Sequence, residues 1–277
     1  MPRGALRVAH ETPAGRILVT DSLTYCDERV SGRDVVVAGS FAGAAAFPLA
    51  YEYGVRALIA HAAGVGREAA GISGLADAEA RGLAAAAVET MSARIGDGES
   101  VWGDGVIAFA NTHAVALGVA IGMPAASAAR RLLAAPEGVA WPRTMDRAQT
   151  LALETPAGRV MLMVSTSFVS PENARDILCT GSHGGRVNAL PLLATPPRGA
   201  VVFDGGLSRD NAGIGGLALL DGRGIPAMAV ASASARIGDA RSAWETGVLS
   251  AANAAAARRG IAVGMTVREA ARRLLTR

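Results

Sequence analysis

The chain has no lysine: all 27 of its basic residues are arginine. Without a side-chain amine there can be no Schiff-base lysine, no pyridoxal phosphate anchor, no Ser-Lys dyad and no P-loop lysine. Cysteine is almost as scarce. Cys26 and Cys179 have no Cys or His at metal spacing, so neither a zinc framework nor a disulfide scaffold is indicated, and reduced cytosolic thiols are expected. Aromatic residues make up only 4%. The core must therefore rest on Ala, Val and Leu and on close approach of backbones. No His-Glu-x-x-His motif is present, and Gly39-Ser-Phe-Ala-Gly43 and Gly181-Ser-His-Gly-Gly185 do not match Gly-x-Gly-x-x-Gly. The sequence thus calls for no metal, no dinucleotide and no other cofactor. The N-terminus lacks a signal-type apolar region, and no 18-residue apolar run is free of charge or helix-breaking glycine, which predicts a cytoplasmic protein without a membrane span. The arginines are dispersed and not interleaved with aromatics, so no nucleic acid partner is expected.

What is present is a repeat. Ser92-Ala-Arg-Ile-Gly-Asp97 returns as Ser234-Ala-Arg-Ile-Gly-Asp239, and Ser92–Met123 matches Ser234–Met265 at an offset of 142 with 17 identities in 32 positions. The duplication predicts two domains, 1–143 and 144–277, joined near Pro136 to Arg147. Each opens with two short apolar runs around Glu-Thr-Pro-Ala-Gly-Arg (residues 11–16 and 154–159), a hairpin signal. A β-branched run then ends at Gly39 or Gly181, a third apolar run ends at His61 or Asp204, and a further strand runs into the repeated loop. Cys179 aligns with Val37 rather than Cys26, so a racemase with one cysteine per half does not fit.

The helices have readable signals. Ala44 to Tyr53 reads as a helix, with a shorter counterpart at Val187 to Leu193. After the repeated loop, Ser100 to Gly118 and Ser242 to Gly260 each read as one helix, the second opened by a Ser242-x-x-Glu245 capping box. Trp102, Val106, Phe109 and His113 would form its core stripe. Gly105 and Gly247 inside it suggest a closely passing backbone. Pro124 to Ala135 and Val267 to Leu275 close the halves, the latter after a Thr266-x-x-Glu269 box. The alternation predicts an α/β fold of two Rossmann-like halves, each a β-hairpin with a short parallel sheet covered by helices, related by a pseudo-twofold.

In such sheets ligands gather at the carboxyl ends of strands. The candidates there are Ser182, His183, Asp204 and Asp210 in the second half and His61 and Glu89 in the first. His61 aligned with Asp204, His183 with Phe41 and Glu89 with Ala231 are the positions where the copies diverge. His183 oriented by Asp204 or Asp210 would serve as acid or base, with the Gly184 and Gly185 amides as an anion cradle. Arg94 and Arg236, with Ser92 and Ser234, either grip an anionic substrate or knot their loops by pairing with Asp97 and Asp239. Asn111 and Asn253 would face solvent, an interface or a ligand. Two functions follow: a cofactor-independent hydrolase of a small anionic metabolite, or a non-catalytic ligand-binding or assembly protein. Gly- and Ala-rich helices with few charges point to a homo-oligomer.

Overall fold

The computed structural model describes residues 5–142 and 147–276, so the predicted join at 143/144 lies outside the described residues. The chain divides into two compact units. Unit 1 comprises Met1–Val65, Ala69–Met145 and Ser208–Asp210; unit 2 comprises Gly66–Glu68, Asp146–Leu207 and Asn211–Arg277. The fold is α/β, with one six-stranded mixed sheet in each unit.

In unit 1 the strands are β1 (Arg7–Thr12), β2 (Gly15–Thr20), β3 (Asp34–Phe41), β4 (Ala57–His61), β5 (Ala84–Val88) and β6 (Ile107–Ala110), and they lie in sequential order. β1 and β2 form the predicted hairpin, β2 to β5 run parallel, and β6 is antiparallel to β5. This order never reverses, so it has no switch point of the Rossmann kind. Every residue of β3, β4 and β5 is buried. That explains how Ala84-Ala-Ala-Ala-Val88, a poor β-former on propensity, holds a strand: neighbours on both edges and cover on both faces decide it. The helices are α1 (Pro48–Tyr51), α2 (Gly74–Ala80), α3 (Gly98–Asp104), α4 (Thr112–Ala116) and α5 (Ala125–Leu132).

Unit 2 repeats this plan in β7 (Thr150–Thr155), β8 (Gly158–Met163), β9 (Ile177–His183), β10 (Gly199–Phe203), β11 (Ala227–Val230) and β12 (Leu249–Ala252). Its helices are α6 (Arg186–Ala194), α7 (Gly216–Asp221), α8 (Ala240–Thr246), α9 (Ala254–Ala257) and α10 (Val267–Thr276). In both units an arginine of the second strand clamps a buried aspartate at the entry to the third, Asp34 as the first residue of β3 and Asp176 as the residue before β9: Arg16 to Asp34 at 2.8 and 2.7 Å, and Arg159 to Asp176 at 2.9 and 3.1 Å.

Five local expectations change. The long helices after the repeated loop do not form. Gly105 leaves α3 in an extended conformation, Val106 bridges to Pro124, and the chain continues as β6 and α4; Gly247 and the Val248–Thr266 bridge do the same in unit 2. The Trp102 stripe therefore does not exist, because pairing with β5 outcompetes helical periodicity. A Cβ on Gly105 would stand 2.3 Å from the Val101 carbonyl oxygen, so the close backbone belongs to its own helix. α8 is capped by Asp239, which accepts from Ser242 N at 2.9 Å, so Ser242 is inside the helix rather than at its cap. α1 is shorter than expected and its counterpart α6 is the longer one. Asn111 and Asn253 are buried caps of α4 and α9, each also binding the adjoining strand through Ala85 N or Ala227 N. The Thr266–Glu269 box is formed, with Thr266 N donating to Glu269 at 2.8 Å and Glu269 N to Thr266 Oγ1 at 3.3 Å.

Candidate functional site

The repeated loops are built almost entirely from backbone-directed bonds. Ser92 Oγ donates to Glu89 O at 2.8 Å and accepts from Val106 N at 3.0 Å; Ser234 Oγ does the same with Ala231 O and Val248 N at the same distances. Asp97 caps α3 as Asp239 caps α8. Gly96 N donates to Gly39 O and Gly238 N to Gly181 O, at 2.8 and 2.9 Å. A Cβ on Gly39 would lie 2.5 Å from Asp97 N, which is why the third strand carries glycine there.

The arginines of these loops are already paired. In unit 1 Arg94 Nε donates to Asp210 at 2.8 Å, and in unit 2 Arg236 donates to Glu68 and to Asp239, each at 2.9 Å. Glu68 and Asp210 stand 142 residues apart, the offset of the repeat. Arg236 holds the Glu68 carboxyl below its ordinary pKa. Both acids lie on unusual backbone: Ala63, Val65, Glu68 and Ala69, and likewise Leu207, Ser208, Asp210 and Asn211, have φ between 51° and 62°. Left-handed non-glycine residues are disfavoured, a β-branched one such as Val65 most of all. Two bonds hold these segments: Ser208 Oγ accepts from the buried Ile95 N at 3.2 Å within unit 1, and Ser232 O accepts from Arg67 N at 2.8 Å within unit 2.

The predicted acid–base residues are engaged in the same way. The His61 ring is fully buried; Nδ1 accepts from Ala63 N at 3.0 Å, and Nε2 faces the carbonyls of Thr90 and Ala93 at 3.1 and 3.0 Å. Acceptors on one nitrogen and a donor on the other set the Nε2–H tautomer. Burial pushes its pKa down to about 4 against those two carbonyls. Asp204 Oδ1 accepts from Gly206 N, Ser232 N and Ser232 Oγ at 3.0, 3.0 and 2.7 Å, and Oδ2 from Ser250 Oγ at 2.9 Å. His183 is buried and its Nδ1 accepts from Gly185 N at 3.1 Å, while Gly184 N donates to Phe203 O at 2.7 Å. The two glycine amides are thus occupied. Ser182 Oγ accepts from Thr166 N at 3.1 Å, and Glu89 Oε2 from Met91 N at 2.7 Å. The structure brings Asp204 to Ser232 and Ser250, and Asp210 to Arg94. Strand pairing also corrects the alignment of the halves: Phe41 pairs with His61 and His183 with Phe203, so His61 corresponds to Phe203, one residue before Asp204. Among the described residues, no group of three or more His, Cys, Asp or Glu side chains is placed to hold a metal ion. Burial lifts the Cys26 and Cys179 thiols to about 12, leaving both unreactive as nucleophiles.

A hollow of about 320 Å³ lies elsewhere in unit 1, at the amino ends of β4 and β5. Its polar lining comes from Tyr51, Arg56, Arg81, His113 and Glu137, and Trp141 closes one side. The Arg81 guanidinium is stacked between Tyr51 and Trp141, 4.9 Å from each ring centre, and its Nε donates to Asp77 at 3.2 Å. Trp141 N donates to Tyr51 O at 2.9 Å, anchoring the strap that follows α5. Arg56 Nη1 donates to Ala14 O and Leu133 O at 2.7 and 2.8 Å. Of these residues the sequence singles out only His113, as part of a core stripe, and Pro136 to Arg147 reads there only as a join; the one tryptophan in that connection was the available signal. The chain matches no family model, no curated protein and no solved structure.

Among the described residues, no helix is long and apolar enough to cross a membrane.

Proposed function

We propose that this is a duplicated α/β protein that binds a small anionic metabolite, and that its strand-end side chains hold the fold rather than catalyse a reaction. The observation that supports the reading most is the hollow in unit 1. Its size falls at the small end of the roughly 300–1,000 Å³ typical of ligand pockets, and apolar walls with a few convergent polar groups are the usual build of such sites. The strand ends offer less. A general base needs a free lone pair within reach of a substrate, whereas both His61 nitrogens are committed to backbone.

The alternative is a hydrolase in which His183 is the acid or base and Arg94 or Arg236 the anchor. One experiment separates the two: a metabolite-library thermal shift with mass spectrometric analysis of every stabilising compound. Binders recovered unchanged support the binding reading. A compound converted by the wild type and left intact by His183→Ala overturns it. The homo-oligomer expected from the sequence is part of the proposal, and light scattering that reports a 28.0 kDa particle removes it.

A further inference from the structure

We infer that the hollow in unit 1 takes a compact monocarboxylate, a single ring or a short chain, with its carboxylate on the Nη edge of Arg81. The inference rests on the ligand-binding reading and adds the site and the ligand class to it.

Arg81 carries the argument. Two aromatic faces fix the plane of its guanidinium, and the Asp77 pair fixes its Nε side. Among the described residues no acceptor bonds its two Nη groups, so four N–H donors are held in a set plane at the wall of the hollow. A fork oriented in advance loses little freedom when it closes on a carboxylate, and paired N–H···O⁻ bonds are among the stronger polar contacts.

Charge and shape narrow the ligand. Around the hollow, Arg33, Arg56 and Arg81 stand against Asp77, Glu79 and Glu137, with Glu137 3.6 Å from Arg33 and 3.7 Å from Arg56, and Glu79 3.8 Å from the lining His113. Three positive and three negative groups leave no excess positive charge to hold a phosphate dianion, so the site suits a monoanion gripped by the Nη edge of Arg81 itself. The remaining wall is apolar, from Val55, Leu83, Leu117 and Val139, and suits a hydrocarbon body. The lining of the hollow is also particular to unit 1. At the same offset Tyr51 becomes Leu193, Asp77 becomes Leu219 and His113 becomes Ala255, while Arg56 and Arg81 are kept as Arg198 and Arg223. Arg198 repeats the backbone bonds of Arg56, to Ala157 O and Leu275 O, so that arginine serves the fold in both units.

The test is calorimetric titration of the intact protein with benzoate, 4-hydroxybenzoate and hexanoate, with their primary amides and with inorganic phosphate. At least one acid is expected to bind about ten-fold or more tightly than its amide, a difference that Arg81→Gln abolishes. Ala116→Phe, an exposed position on the rim, narrows the hollow and is expected to weaken the acid without changing the melting temperature. The comparison of acid with amide on the wild type stands even if Arg81→Gln fails to fold. Equal binding of acid and amide, preference for phosphate, or acid binding unaffected by both variants overturns the inference and leaves the ligand-binding reading in place. Failure of these probes and of every library compound to bind overturns both.

Discussion

His61 lies opposite Phe41 across the parallel pair β3 and β4, and in unit 2 the same two residue types face each other with their strands exchanged, His183 on β9 and Phe203 on β10. Each unit therefore sets one histidine in register with one phenylalanine at the strand ends, and each imidazole is fastened by the amide two residues further on, Ala63 N or Gly185 N. A histidine so held is part of the fold, and its titration should be read in stability.

For His61 the folded pKa of about 4 lies below the ordinary 6.5. Above pH 6.5 both states are neutral at this site and its stabilisation is complete. Between pH 6.5 and 4 the unfolded chain takes up a proton that the folded chain refuses, so stability falls as the pH falls, by about 3 kcal/mol in all, and the loss levels off below pH 4. Urea unfolding at a series of pH values should show this slope. His61→Phe, the residue found at position 203, should be less stable at pH 7 and should lack that part of the slope. An unchanged slope would mean that His61 does not titrate as its burial requires.

His183→Ala should destabilise the protein rather than leave it intact. The ring is buried and receives the Gly185 amide. Its removal leaves a void and an unpaired buried N–H, together worth about 2–4 kcal/mol. Thermal unfolding measures the loss, and a melting temperature equal to wild type would return His183 to the list of free functional groups.

Ala69→Asn should stabilise by about 0.5–1 kcal/mol, because Ala69 is exposed at φ 53° and asparagine tolerates the left-handed region better than alanine. Asn211 already occupies the matching position at φ 56°. A destabilised variant would show that the Ala69 methyl makes a contact of its own.

Tyr51→Phe should raise stability by about 1 kcal/mol. The hydroxyl is buried with no partner in hydrogen-bond geometry, and burial, the negative charge of Asp77 and the hydroxyl's approach to that carboxylate raise its pKa. Reduced stability would mean that the hydroxyl is bonded in solution.

Breaking Arg94 from Asp210 should cost little in spite of the pair's place in the repeated loop. The side chains are 40% and 59% exposed, and pairs of that kind contribute about 0.2–1 kcal/mol. Ser208→Ala should cost more, about 1–3 kcal/mol, since it leaves the buried Ile95 amide without its acceptor. Denaturant midpoints for Asp210→Ala and Ser208→Ala, measured side by side, give the order.

The sequence by itself determined the features that local chemistry and internal comparison carry. The Thr-Pro-Ala-Gly turns specify the hairpins, the β-branched runs specify β3 and β9, Thr266 with Glu269 opens α10, and the offset of 142 announces two similar units. Tertiary structure decided whatever depends on a neighbour distant in the chain. Val106 to Ala110 has the spacing of a helix and becomes a strand because β5 offers it a partner. His61, read as a candidate base, loses its lone pairs to amide and carbonyl groups that no sequence pattern places beside it. Arg94 meets Asp210 across 116 residues, and Arg81 meets Tyr51 and Trp141 across 30 and 60. Periodicity records that a side chain is buried; it does not record what it is buried against, and the chemistry of a polar group is set by that second fact.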